Sequence, residues 1–141
     1  MAPQVLFLPT ILFINKRRSG LIYKISDDFQ KMIDEITNTI QLNYNKDITL
    51  NDMAAKYHIS TGYLSKIFFQ VAGMTFKKYL NLYRVKQAKS LFCREGEKSI
   101  RKVSNSVGFH DVCYFYRVFR KIEGMTPQDY LLSIQKEGRL L

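Results

Sequence analysis

The chain has 141 residues, enough for one domain or two very small ones, and its 46% hydrophobic and 13% aromatic content supplies a core rather than a disordered tail. Lys plus Arg number 22 against 12 Asp plus Glu, and the formal net charge of +10 favours a polyanionic partner: nucleic acid first, an anionic membrane surface second. Two cysteines, Cys93 and Cys113, and two histidines exclude a zinc finger, make a disulfide framework a poor fit, and suggest a reducing, cytoplasmic compartment.

Residues Val5 to Ile14 form an apolar run interrupted by Pro9 and followed by Lys16, Arg17 and Arg18. The run is shorter than the roughly 20 residues a bilayer span needs. A signal peptide would carry its basic residues before the apolar stretch, not after it. A membrane-surface anchor is weakened by Pro9. Residues 1–27 are therefore expected to be an arm that packs on the body, or the remnant of an upstream domain.

From Asp28 the pattern is helical. Phe29, Met32, Ile33, Ile36 and Ile40 recur at three- and four-residue spacing. Asn43, Asn45, Lys46 and Asp47 read as a turn. Thr49 with Asp52 has capping-box spacing and starts a helix that turns Leu50, Met53, Ala54 and Tyr57 inward. After a break at His58-Ile59, Ser60 can cap a helix that buries Leu64, Ile67, Phe68 and Val71. Gly73 ends it as a left-handed cap would. A longer helix from about Phe76 to Phe92 has the stripe Phe76, Tyr79, Leu80, Tyr83, Ala88 and Leu91, and the segment Arg94-Glu95-Gly96-Glu97 breaks it.

The chain then repeats itself. Tyr63, Ile67, Phe68, Gly73-Met74-Thr75 and Tyr79 match Tyr114, Val118, Phe119, Gly124-Met125-Thr126 and Tyr130 at an offset of 51. Leu50, Met53, Ala54 and His58-Ile59 match Ile100, Val103, Ser104 and Gly108-Phe109 at an offset of 50, so the second copy carries one extra residue near its turn. Each copy reads as short helix, tight turn, second helix and glycine stop, which is the helix-turn-helix pattern. Small residues, Ala54 and Ser104, let the two helices approach. Gly108 supplies an unusual turn backbone cheaply. His58 either adopts a positive φ at a cost of roughly 1 kcal/mol or turns differently. Two such copies on a basic chain point to nucleic-acid binding.

The segment Val103-Ser104-Asn105-Ser106-Val107-Gly108-Phe109, followed by Tyr114-Phe115, Val118-Phe119-Arg120-Lys121, Gly124-Met125-Thr126-Pro127 and Tyr130, resembles the second helix-turn-helix of the AraC/XylS family of bacterial transcription regulators. The first copy, Ile59-Ser60 through Tyr63-Leu64-Ser65-Lys66-Ile67-Phe68 and Gly73-Met74-Thr75-Phe76, fits as well, as do Arg84, Ala88 and Leu91. The resemblance covers about Asp47 to Leu131. Ser104, Asn105, His110 and Phe69 depart from the family pattern. The resemblance implies an all-α fold of two helix-turn-helix subdomains joined by a long linker helix, divided at 28–94 and 95–141. It implies a sequence-specific regulator bound to double-stranded promoter DNA, with recognition helices at about 60–72 and 111–123 entering major-groove segments about 34 Å apart. It further implies an activator that contacts RNA polymerase at the bacterial nucleoid, with no cofactor, and with dimerisation supplied by any upstream domain.

On the first recognition helix the face opposite the core presents Thr61, Gly62, Ser65, Lys66 and Phe69. Lys66 and Ser65 are expected to donate to guanine acceptors or phosphate. Phe69 is expected to touch a thymine methyl or to pack on its own subdomain. On the second, Phe115, Val118, Phe119 and Ile122 face inward, and His110, Val112, Cys113, Tyr116, Arg117 and Arg120 are the outward candidates. Arg117 is the expected guanine reader, and Asp111 reads as an N-cap. Cys113 is a small side chain or an oxidisable thiol. Lys77, Lys78, Arg84, Lys86 and Lys89 are phosphate candidates, with a solvated face the alternative for Lys86 and Lys89 and a structural bridge the alternative for Arg84.

Catalysis has no motif to rest on: a P-loop, GxGxxG, GxSxG and HExxH are all absent from the sequence, as is a metal-ligand cluster. The competing expectation is a non-enzymatic adaptor or architectural protein that binds DNA without sequence preference.

Overall fold

A computed structural model describes residues 27–94 and 96–140. The described residues form seven α-helices and no strand: α1 Asp27–Asn43, α2 Leu50–Lys56, α3 Thr61–Ala72, α4 Phe76–Arg94, α5 Ile100–Ser106, α6 Val112–Glu123 and α7 Pro127–Leu140. The expectations for the segment 1–26 lie outside the described residues. No helix among those described is long and apolar enough to cross a membrane.

The described residues divide into two compact units. The first runs through Leu42 and resumes at Ile48–Tyr79, and the second comprises Asn43–Asp47 and everything from Leu80. The division thus falls inside α4, rather than at its end, and a short loop after α1 belongs to the second unit.

In the first unit, Ile33, Ile36 and Ile40 of α1 are buried, as the three- and four-residue spacing predicts. So are Met53 and Ala54 of α2, Leu64, Ile67, Phe68 and Val71 of α3, and Phe76 and Tyr79 of α4. Each buried Ile, Leu, Val, Met or Phe side chain contributes about 1.5–3 kcal/mol by leaving water. The Phe68 ring meets Phe76 and Tyr79 edge-on, with centroids 5.7 and 5.9 Å away. The Tyr57 hydroxyl donates to Glu35 Oε2 at 2.6 Å and ties the end of α2 to α1. Partial burial, that hydrogen bond and the Glu35 charge together push the Tyr57 phenol up to about 12.

The second unit is built on Phe109, Phe115 and Phe119, with Val85, Ala88 and Phe92 of α4, Ile100, Val103 and Val107, and Leu131 of α7. The buried stripe of α4 therefore changes register: Phe76, Tyr79, Leu80 and Tyr83 are followed by Val85, Ala88 and Phe92. Val85 and Phe92 are absent from the stripe expected of a helix with a single apolar face.

Arg84 is buried in this unit. Its Nε donates to the Tyr44 carbonyl at 2.7 Å and its Nη2 to the Lys46 carbonyl at 2.9 Å. The guanidinium lies 5.5 Å from the centre of the Phe109 ring. Burial lowers its pKa from the ordinary arginine value, and the Asp47 carboxylate opposes that shift.

Both helix-turn-helix turns are the same left-handed helix stop. In the first, the His58 and Ile59 amides donate to the Ala55 and Ala54 carbonyls at 3.2 and 3.1 Å. In the second, the Gly108 and Phe109 amides donate to the Asn105 and Ser104 carbonyls at 3.1 and 2.9 Å. This pair of bonds is the Schellman pattern, which needs a positive φ at the first residue past the cap. His58 adopts φ 54° and Gly108 φ 96°, so the first copy accepts the strain rather than turning differently. Ser104 is fully buried, and its hydroxyl donates to the Arg101 carbonyl.

Candidate nucleic-acid interface

Each unit displays one helix directly after its turn. Ser60 caps α3 by accepting from the Tyr63 amide, and Asp111 caps α6 by accepting from the Cys113 amide. Relative to the first copy, one residue is interposed between the turn and the second cap: His110. Its Nε2 lies 2.6 Å from Asp47 Oδ1, and both side chains are exposed. Both helices end on left-handed glycines, Gly73 at φ 74° and Gly124 at φ 76°.

On α3, Leu64, Ile67, Phe68 and Val71 are buried, while Thr61, Gly62, Ser65, Lys66 and Phe69 are exposed, as expected from their spacing. At 100° per residue, Gly62, Lys66 and Phe69 are the residues nearest the centre of the exposed face. Phe69 remains 54% exposed, so its side chain is not absorbed by its own unit's core. The Thr61 hydroxyl donates to Asn51 Oδ1 of α2, which fixes its orientation. Gln70 is also exposed at the edge of this face. It was not among the expected contacts, although its spacing from Lys66 marks it.

On α6, Phe115 and Phe119 are completely buried. Cys113, Arg117 and Arg120 are exposed and occupy the positions equivalent to Gly62, Lys66 and Phe69. The Arg117 guanidinium sits 5.7 Å from the centre of the Tyr114 ring, which pre-orients its fork. Lys121, equivalent to Gln70, is exposed too. Val112 and Tyr116 are half-buried against the core of the second unit, so they present less surface than an outward assignment implies. Val118 and Ile122 pack on that core from the inward side, as expected.

The cation candidates separate into groups. Lys77 and Lys78 are exposed in the first turn of α4, where Thr75 Oγ1 accepts from the Lys78 amide at 3.2 Å. Lys86 is half-buried. Lys89 Nζ is 2.9 Å from Glu123 Oε2 and lies over the Tyr130 ring, so its charge is matched inside its own unit. Arg84 is committed to two backbone carbonyls. For Arg84 the phosphate role gives way to the structural bridge, because its guanidinium is buried and already hydrogen-bonded. The start of α7 has Thr126 paired with Asp129, and an acid in that first turn opposes a phosphate there.

The helix-turn-helix domain family matches residues 53–133, more than half of the chain. The melibiose operon regulatory protein of Escherichia coli K12 is 29% identical over 119 residues, which cover 84% of this chain and 39% of that protein. The curated relatives share this feature: the chain spans between 15% and 45% of their lengths. Among solved structures, the C-terminal domain of AraT, a response regulator from Geobacillus stearothermophilus, gives a TM-score of 0.68 at 26% identity, over 78% of this chain and 88% of that one. The DNA-binding domain of AdpA, solved with a target DNA, shares the fold at TM-score 0.65 and 20% identity, over 79% of this chain and 96% of that one. With its all-helical fold and its two helix-turn-helix units, this chain belongs to the AraC family of DNA-binding transcription regulators.

Proposed function

We propose that the chain reads double-stranded DNA with both units, inserting α3 and α6 into major-groove segments about 34 Å apart along the duplex. The observation that carries this is the repeated design of α3 and α6. Each is capped within two residues of a Schellman turn, buries an aromatic on one face, and exposes equivalent positions on the other. On α6 those positions hold Arg117 and Arg120, the side chains best suited to guanine and phosphate. Lys66 on α3, with Lys77 and Lys78 in the first turn of α4, supplies cations for groove and backbone. The chain then acts at promoters, with RNA polymerase as its second partner and activation as the outcome. Family membership supports that extension, as it supports dimerisation through a segment outside the matched region.

Selection from a random duplex library at physiological salt tests the reading. The expected product is a site with two specified blocks about 10 base pairs apart. Arg117→Ala is expected to relax one guanine position at a cost of about 1–3 kcal/mol, leaving the other block intact. Uniform loss on every sequence would instead make Arg117 a phosphate contact. A failure to enrich any sequence, with affinity falling steeply in salt, would favour the non-specific alternative. Transcription from a promoter carrying the selected site, with and without the chain, separates activation from repression.

A further inference from the structure

The two recognition helices carry different chemistry at equivalent positions. Where α6 has Cys113, Arg117 and Arg120, α3 has Gly62, Lys66 and Phe69. The aromatic is the informative difference. A phenylalanine that is 54% exposed in the middle of a helix face otherwise made of polar residues, glycine and Lys66 does nothing for its own core. The other aromatics of the first unit have company: Phe68 sits between Phe76 and Tyr79, and Phe29 meets Tyr63 at 6.2 Å. In the major groove only thymine offers an apolar group at the base edge, its 5-methyl. Gly62, two helical turns towards the N-terminus on the same face, leaves that face bare at its start. A Cβ there would meet nothing within 4 Å, and no positive φ requires a glycine. A glycine in a helix is less favourable than alanine, and the fold does not explain it here. A bare backbone does allow a ligand to approach closely.

Resting on the DNA-reading role proposed above, we infer that Phe69 is a specificity-determining residue that recognises a thymine methyl group, so that α3 reads a thymine while α6 reads guanine. The two heads then differ in what they recognise, and the site they select is asymmetric. Its asymmetry fixes which way the chain faces along a promoter.

The test uses the full chain and the duplex recovered by selection. Each thymine is replaced in turn by deoxyuridine, which removes only the methyl. The wild type is expected to lose about four-fold in affinity at one thymine, the value of one buried methyl group. Restoring the methyl there, as 5-methylcytosine opposite guanine, is expected to recover affinity relative to unmethylated cytosine. In Phe69→Ala that methyl dependence is expected to vanish while the guanine preference of the other block persists, and Phe69→Leu is expected to retain part of it. Gly62→Ala is expected to melt at a higher temperature and yet bind the site more weakly. If no thymine loses its methyl dependence in Phe69→Ala while the two-block site is still selected, the inference fails and the DNA-reading role stands. A large drop in melting temperature for Phe69→Ala with unchanged methyl dependence would make Phe69 a packing residue and overturn the inference likewise. If no sequence is selected at all, the broader role fails and this inference falls with it.

Discussion

Gly108 turns at φ 96°, and a Cβ there would lie 2.7 Å from the Tyr44 carbonyl oxygen and 2.9 Å from Arg84 Nε. Two penalties therefore combine for Gly108→Ala: left-handed strain and overpacking against backbone and a hydrogen-bonded guanidinium. Together they are expected to cost about 3 kcal/mol, read as a lower urea midpoint. His58 is the mirror case. It holds φ 54° with its side chain exposed, so His58→Gly is expected to stabilise by up to about 1 kcal/mol in the same measurement. If both substitutions destabilise, the positive φ is not what distinguishes the two turns. Gly108 was legible from the repeat as the residue the turn requires. Its second role, as the gap that admits Arg84 and the Tyr44 carbonyl, was not. That role depends on partners 24 and 64 positions away, and sequence periodicity carries only near neighbours.

At the scale of elements, local signals were read correctly because they act within one turn of helix. The Thr49–Asp52 capping box, the Ser60 and Asp111 caps and the left-handed glycines all stand as the spacing predicts. Ser60→Ala and Asp111→Ala are each expected to cost about 1 kcal/mol of stability, and a change well below that would mean water replaces the cap. The exposed face of α3 was legible from its buried set, whereas on α6 the half-burial of Val112 and Tyr116 against the second core was not. What was not legible involves separations of more than 20 residues. Lys89 pairs with Glu123, Asn81 donates to the Tyr114 hydroxyl, and His110 meets Asp47. The register change along α4 was hidden for a related reason. A helix that serves two cores has no single apolar stripe to find.

For the molecule as a whole, the charge of +10 is an upper bound on its usefulness to DNA, because several cations are already matched. The Arg84 and Lys89 side chains answer to carbonyls and to Glu123, whereas Lys78 is exposed at a helix start. A plot of log affinity against log salt separates these classes. Lys78→Ala is expected to reduce the slope by about 0.9, one released counterion, and to weaken binding equally on all sequences. Lys89→Ala is expected to leave the slope unchanged while lowering thermal stability. The opposite ordering would place Lys89, not Lys78, against the phosphates.

The loop Asn43–Asp47 has one further consequence. Because this loop belongs to the second unit while the chain on either side of it belongs to the first, the polypeptide passes between units at Leu42–Asn43, at Asp47–Ile48 and again at Tyr79–Leu80. The two units are therefore not beads on a string that recombination can exchange by a single cut. A graft beginning at Leu80 would carry the Arg84 guanidinium into a new host without the Tyr44 and Lys46 carbonyls that receive it. Exchange of the second unit between relatives has to transplant two separate pieces of chain at once, so the loop and the rest of that unit are bound to change together.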